Sequence, residues 1–187
     1  MGRWEPDARG RLAEAAMALY RERGFDQTTV VEIAARAGLT ERTFFRHYAD
    51  KREVLFAGSR RLQELMASAV ADAPQSAAPI HAVAAALEAA AAVLEDREFA
   101  RQRQAIIVAN PELQERELIK LASLAAAIAD VLRRRGVTEP AASLAAEAGI
   151  AVFRVAFERW IDETNQHDLS ALIRESLGEL DAVTAGR

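Results

Sequence analysis

The chain has 187 residues, 51% of them hydrophobic, and a formal net charge of −4 at pH 7, so it can bury a substantial core and its composition does not suggest disorder. It contains no cysteine, which excludes disulfide bonds and thiolate chemistry. The sequence shows neither a signal peptide nor a run of about 18 apolar residues, so we expect a cytoplasmic protein that makes no contact with a membrane.

Local sequence signals mark the first two predicted helices. Gly24 follows the apolar stripe of a first helix, which consists of Leu12, Ala16, Leu19 and Tyr20. Thr29 and Glu32 have the three-residue spacing of a capping box, which predicts the start of a second helix. Gly38 predicts its end, because glycine adopts the left-handed conformation that reverses the chain at little cost.

Thr40 follows that turn and predicts the N-cap of a third helix. Helical spacing turns Phe44 towards the core. The outward residues of this helix are Glu41, Arg42, Thr43, Phe45 and Arg46. Two short helices joined by a tight turn are typical of a DNA-binding helix-turn-helix, in which the second helix reads the bases. The alternative is a purely structural helical hairpin with a polar outer face.

Residues 24–51 follow the pattern GF-x-x-TTV-x-x-IA-x-x-AG-x-T-x-x-TFF-x-HY-x-x-K. This pattern resembles the tetracycline-repressor (TetR) family of bacterial transcription regulators, and the resemblance covers roughly the first 55 residues. It implies a helix-turn-helix DNA-binding domain at residues 1–55. It also implies a C-terminal ligand-binding and dimerisation domain at residues 56–187, and we expect a long helix from Lys51 to follow the motif.

The resemblance also assigns DNA contacts. It implies phosphate contacts from Thr29, Thr43, Tyr48 and Lys51, with His47 as a weaker candidate and Thr40 as the adjoining cap. It implies base contacts from Glu41, Arg42 and Phe45, whereas Arg46 could make either kind. The chemistry agrees, because hydroxyl and ammonium groups suit phosphates, while arginine, glutamate and phenylalanine suit guanine, cytosine and the thymine methyl group. Tyr48 could instead be a core aromatic residue with a satisfied hydroxyl.

The rest of the chain is predicted to be helical. Ala, Leu, Glu and Arg dominate it, and no useful stretch alternates with a period of two. We therefore predict an all-α protein of about nine helices, in which a three-helix N-terminal domain joins a larger C-terminal helical bundle. Breaks between helices are indicated at residues 73–79, 96–97, 110–111, 136–140 and 164–168.

The last two predicted helices, within residues 141–183, have the apolar periodicity of a bundle. The first of them carries two stripes. One consists of Ile150, Phe153, Phe157 and Trp160, and the other of the small residues Ala145, Gly149, Val152 and Ala156. The resemblance implies a homodimer in which this pair of helices and its copy form a four-helix bundle. Alternatively, both stripes are buried inside one monomer, because periodicity alone does not identify the partner.

Apolar residues between about positions 80 and 160 could line a pocket for a small, mostly apolar effector. The polar candidates for orienting it are Arg103, Gln104, Glu147 and Arg154, and the aromatic candidates are Phe153 and Phe157. Each polar residue has an alternative role on the surface or in a salt bridge between helices.

The sequence offers little support for an enzyme. His47, His81 and His167 are far apart, and we find neither a glycine-rich phosphate loop nor a nucleophile motif. We therefore expect no catalytic residues, no metal and no cofactor. The predicted function is that of a homodimeric repressor which a small effector releases from palindromic, double-stranded operator DNA. The alternative is a DNA-binding regulator without an effector, either constitutive or controlled by a protein partner.

Overall fold

The computed structural model describes residues 8–185, and in this range the protein contains helices and no strands. Nine α-helices and one short 3-10 helix form the described part of the chain. In chain order the α-helices are α1 (Ala8–Arg23), α2 (Val30–Arg36), α3 (Glu41–His47), α4 (Ser59–Asp72), α5 (Pro79–Val93), α6 (Arg97–Val108), α7 (Pro111–Arg134), α8 (Ala141–Ile161) and α9 (Leu169–Thr184). The prediction of an all-α fold with about nine helices is confirmed. None of these helices has the length and apolar composition needed to cross a bilayer.

The described residues form two compact units. The first unit contains the residues up to Gly58 together with Gln102–Glu115, and the second contains Ser59–Arg101 and the residues from Arg116 onwards. Residues 102–115, at the end of α6 and the start of α7, therefore belong with the N-terminal helices. The domain boundary predicted after residue 55 stays a prediction. The two units differ from it in that residues 102–115 are grouped with the N-terminal helices.

The core of the first unit joins α1, α2, α3 and the 3-10 helix to the segment 102–115. Ile107 and Leu113 are almost completely buried in this core. Arg103 also contributes to it, because its Nε donates a hydrogen bond to the Leu55 carbonyl oxygen at 2.7 Å. The guanidinium of Arg103 lies 5.0 Å from the centre of the Phe56 ring, within the range of a cation–π contact.

The helix predicted to begin at Lys51 is absent, and this prediction was wrong. A turn follows α3, a 3-10 helix spans Glu53–Phe56, and α4 begins only at Ser59. The side chain of Asp50 accepts hydrogen bonds from the backbone N–H groups of Arg52 and Glu53 at 2.8 and 3.2 Å, which stabilises a tight turn in competition with a helix. Gly58 then disfavours a continuous helix, because glycine is a poor helix former.

The core of the second unit contains residues of α4, α5, α7, α8 and α9 together with Ala100 of α6. Close packing of α5 on α8 is evident at Gly149, where an added Cβ would lie well under 3.0 Å from Val83 Cγ1. Gly149 thus permits the close approach of a neighbouring helix, and this helix is α5 of the same chain.

Both stripes of α8 are buried within this single chain. Ile150, Phe153 and Trp160 lie in the core, and so do Val152 and Ala156 from the stripe of small residues. The alternative in which both stripes are buried inside one monomer therefore describes the structure. Dimerisation through the last two helices stays a prediction and requires a different face of α8.

Candidate DNA-binding site

The local geometry of the helix-turn-helix agrees with its sequence signals. Thr29 and Glu32 form the predicted capping box at the start of α2. The Thr29 backbone N–H donates to a Glu32 carboxylate oxygen at 2.9 Å, and the Glu32 backbone N–H donates to the Thr29 hydroxyl at 3.3 Å. Gly38 has a φ of +66°, the left-handed conformation expected for the turn. Thr40 then caps α3 by accepting a hydrogen bond from the Thr43 N–H at 3.2 Å.

The outer face of α3 carries side chains without partners. Glu41, Arg42, Phe45 and Arg46 are exposed, and Phe45 exposes 52% of its surface. Phe44, on the opposite face, is completely buried, and its ring supports Phe45 in an edge-on contact at 5.5 Å. None of the three charged side chains hydrogen-bonds or forms an ion pair with the part of the chain that the structure describes. These groups are therefore available to a ligand.

By contrast, an arginine of α1 and an arginine of α2 are engaged in ion pairs. Arg36 binds Glu22 of α1 through two hydrogen bonds of 2.5 and 2.6 Å, and this contact lowers the pKa of Glu22 below its ordinary value. Arg23 binds Glu32 at 2.8 Å. The pKa of Glu32 is also lowered, chiefly by its hydrogen bonds with Thr29 and then by Arg23. These pairs join α1 to α2.

The predicted phosphate contacts differ in their accessibility. Thr29 is exposed, whereas Thr43 is half-buried with its hydroxyl 3.0 Å from that of Thr40. His47 is half-buried, and its Nε2 is buried without a hydrogen-bond partner among the described residues. Tyr48 is buried and its hydroxyl donates to the Arg9 carbonyl oxygen at 3.1 Å. Tyr48 is therefore a core aromatic residue with a satisfied hydroxyl, as in the alternative interpretation of the sequence.

Lys51 is also engaged within the first unit. Its ammonium group donates hydrogen bonds to the carbonyl oxygens of Phe25, Asp26 and Thr28. The Lys51 carbonyl oxygen accepts a hydrogen bond of 2.6 Å from the Tyr20 hydroxyl. Burial, assisted by the negative charge of Asp50, raises the pKa of Tyr20 above its ordinary value and keeps this hydroxyl protonated.

One supporting residue was missed by the sequence reasoning. Arg11 of α1 donates a hydrogen bond to the carbonyl oxygen of Ala37, directly before the glycine turn. Its guanidinium would lie 2.9 Å from a Cβ added at Gly38. The 26-residue separation of Arg11 and Ala37 leaves no local pattern from which this contact could be predicted.

The structure does not gather the predicted effector residues around one cavity. Arg103 and Gln104 belong to the first unit, whereas Glu147 and Arg154 are exposed on α8. Phe153 and Phe157 pack on each other at 6.0 Å in the core of the second unit. The exposed positions of Glu147 and Arg154 agree with the alternative interpretation of these residues as surface groups.

The centre of the second unit is filled by side chains. Val83, Leu87, Ile128 and Leu132 expose no surface, so no void large enough for water adjoins them. Two open grooves lie on its surface. One is lined by Val155, Glu158, Arg159, Asp162, Thr164 and Asn165, and the other by Gln63, Glu64, Ala67, Ser123, Ala126, Ala127, Asp130 and Arg134. An effector site in the core would therefore require side chains or helices to move.

A glycine turn between two capped helices and an unpartnered polar face on the second helix define a DNA-binding protein of the helix-turn-helix class. The model of the family described as "Bacterial regulatory proteins, tetR family" matches residues 12–57. The model of the MftR C-terminal domain matches residues 77–185. The chain belongs to the TetR family of bacterial transcription regulators.

Individual relatives agree with this assignment. The chain is 28% identical over 193 residues to MftR of Mycobacterium tuberculosis, provisionally named a mycofactocin biosynthesis transcriptional regulator, in a match that covers 100% of this chain and 94% of MftR. It is 32% identical over 108 residues to the HTH-type transcriptional regulator TcmR of Streptomyces glaucescens. That match covers 58% of this chain and only 48% of TcmR, so it spans about half of that relative.

A solved structure of similar fold contains a ligand. The TetR-family transcriptional repressor FadR of Thermus thermophilus, in complex with lauroyl-CoA, is 25% identical to this chain. The match covers 92% of each chain with a TM-score of 0.56.

Proposed function

We propose that the protein is a transcriptional repressor that binds palindromic operator DNA as a homodimer and is released by a small, mostly apolar effector. The observation that supports this proposal best is the outer face of α3, where exposed charged side chains surround a half-exposed phenylalanine and lack partners among the described residues. Such a face suits the major groove, which accommodates an α-helix and presents a distinct pattern of donors and acceptors for each base pair.

Within this proposal the residues of α3 read the bases. Arg42 pairs bidentately with a guanine, Glu41 accepts a hydrogen bond from a cytosine, and Phe45 packs on a thymine methyl group. Arg46 contacts either a base or a phosphate. The hydroxyls of Thr29, Thr40 and Thr43, with His47 as a weaker candidate, are assigned to the DNA backbone, which fixes the register of α3 in the groove.

The proposed dimer uses the outer face of α8 together with α9. This face of α8 carries Leu144 and Val155, which expose 65% and 47% of their surfaces, with the small residue Ala151 between them. Burial of such apolar side chains against a second copy would favour association. A two-fold dimer presents its two α3 helices to major-groove faces separated by about one helical turn or a multiple of it, so the operator repeats inverted.

The effector part of the proposal is supported by the FadR complex, whose ligand has a long acyl chain. In this chain, the filled core of the second unit means that an effector would select a conformation in which helices of the bundle have separated. A shift from 99% to 1% bound operator requires about 10⁴-fold discrimination between the two conformations, or roughly 5.5 kcal/mol. The same filled core supports the second candidate, a regulator without an effector.

Selection of binding sites from random duplexes tests the DNA-binding function. Wild-type protein is expected to enrich an inverted repeat. Arg42→Ala should cost about 1–3 kcal/mol in binding and relax the preference at one position of each half-site. Arg60→Ala is the matched control, because Arg60 is an exposed arginine of α4 that pairs with Glu64 at 3.0 Å, outside the motif. Equal loss of base preference in both variants would contradict the assignment.

A second experiment decides between the two modes of control. Operator affinity is measured against a panel of metabolites that includes long-chain acyl compounds. Release by one compound, with a crystal structure of that complex showing an opened core, supports the effector. No change in affinity with any compound favours the effector-free regulator.

A further inference from the structure

The ammonium group of Lys51 is surrounded by backbone carbonyl oxygens from one loop. Its Nζ lies 2.8 Å from the Phe25 oxygen, 3.0 Å from the Thr28 oxygen and 3.3 Å from the Asp26 oxygen. It also lies 4.3 Å from the centre of the Phe25 ring, the distance of a cation–π contact. An ammonium group has three hydrogens to donate, so these three carbonyls use its full donor capacity.

The loop that Lys51 holds connects α1 to α2 and ends at Thr28, which directly precedes the capping residue Thr29. Thr28 is itself buried, and its hydroxyl donates to the Gly24 carbonyl oxygen at 2.8 Å. The backbone of Lys51 is fixed as well, through the hydrogen bond from Tyr20 of α1. Lys51 therefore links the chain after α3 to both α1 and the loop before α2.

We propose that Lys51 is a positioning residue for DNA binding, which fixes the loop of residues 25–28, and with it α2 and the base-reading helix α3, without contacting a phosphate. This inference rests on the proposed DNA-binding function and replaces the phosphate contact that the family resemblance implied for Lys51. To reach a phosphate, the ammonium group would have to leave three carbonyl oxygens and an aromatic ring. The Phe25 carbonyl oxygen would keep the Thr28 backbone N–H as a donor at 3.2 Å. The partly buried contact with the Thr28 carbonyl oxygen would be lost, which is unfavourable for a group shielded from water.

The geometry further distinguishes lysine from arginine at this position. Three carbonyl oxygens converge on a single nitrogen, which suits a compact ammonium group with three donors. A guanidinium is planar and presents its donors as a rigid fork, so it cannot reproduce this arrangement. A phosphate contact would tolerate arginine, because arginine binds phosphate at least as well as lysine does.

The test measures operator affinity as a function of salt for the full-length wild type and for Lys51→Met, Lys51→Arg and Arg46→Met. The slope of log K against log salt is negative, and each neutralised phosphate contributes about −0.9 to it. Removing one phosphate-binding cation from each subunit therefore makes the slope of the dimer less negative by about 1.8. Arg46→Met is the matched control, because it removes an exposed charge from α3. Circular dichroism at the temperature of the binding assay confirms that each variant is folded.

We expect Lys51→Met and Lys51→Arg to bind at least tenfold more weakly than wild type at every salt concentration, with the wild-type slope. Hydrogen exchange at residues 26–30 should accelerate in both variants. A slope that becomes less negative by about 1.8 in Lys51→Met and returns to the wild-type value in Lys51→Arg would overturn the proposal and establish a phosphate contact. Wild-type affinity in folded Lys51→Met would overturn it too, because a merely structural role changes stability and not affinity. Failure of the wild type to bind any duplex would instead refute the proposed function.

Discussion

Substitution of Gly149 by alanine tests how tightly α5 packs on α8. The new Cβ would lie well under 3.0 Å from Val83 Cγ1, whereas carbon atoms in contact require about 3.5–4.0 Å. Both residues are buried, so Val83 cannot swing into solvent and the two helices must separate or the valine must leave its rotamer. Overpacking of this kind costs about 1–3 kcal/mol. Alanine recovers about 0.5–1 kcal/mol through its higher helix propensity, so we expect a net destabilisation of up to about 2.5 kcal/mol.

The matched control is Gly178→Ala in α9, where an added Cβ meets no atom within 4 Å. This variant should gain the helix propensity alone, about 0.5–1 kcal/mol. Urea denaturation at a single protein concentration gives both free energies of unfolding. Combining Gly149→Ala with Val83→Ala should cost less than the sum of the two single changes, because the clashing methyl group is removed. If Gly149→Ala stabilised the protein as much as Gly178→Ala does, the close packing of α5 on α8 would be refuted.

Three further changes test other parts of the structure. Gly38→Ala should destabilise the protein by about 1–2 kcal/mol, because its φ of +66° strains any residue with a Cβ; thermal unfolding measures this, and an unchanged midpoint would argue against the turn. Asp50→Ala should cost about 0.5–2 kcal/mol at pH 7, as loss of a cap does. The pKa of Asp50 is held below its ordinary value of 3.8, chiefly by its hydrogen bond with Arg52. The stability that the ionised carboxylate contributes is therefore fully present above pH 3.8 and is lost as pH falls through the lower pKa of the folded state. Urea titrations should therefore give a difference between wild type and variant that shrinks below about pH 4, and a constant difference would contradict this cause. Val155→Arg should yield helical monomers in sedimentation equilibrium, whereas persistent dimers would place the interface elsewhere.

The caps and turns of the motif could be predicted from the sequence because their causes are local. The spacing of Thr29 and Glu32 predicts a capping box, and Gly38 predicts a left-handed turn, and both features are present. The prediction of a helix beginning at Lys51 was wrong because two local preferences oppose a helix there. The side chain of Asp50 favours a turn, and Gly58 interrupts the helix that the following residues would otherwise form.

Other parts of the site depend on contacts that a periodic pattern does not contain. Helical spacing identified the two stripes of α8, but it could not say that α5 of the same chain covers Gly149. Likewise, the family pattern includes Tyr48 and Lys51, yet their hydrogen bonds to Arg9 and to residues 25–28 join segments that are 23 to 39 residues apart. Only the folded chain specifies such partners.

The inclusion of residues 102–115 in the first unit limits how this protein could be recombined with its relatives. In a chimaera that replaces only the residues up to Gly58 with those of a relative, the relative's helices would pack on residues 102–115 of this chain, to which they are not matched. Ile107 and Leu113 are almost completely buried in that core, and each contributes on the order of 1.5–3 kcal/mol if its apolar surface stays covered. A transplant of DNA specificity should therefore carry both segments, or confine itself to the outer face of α3, where no packing has to be matched.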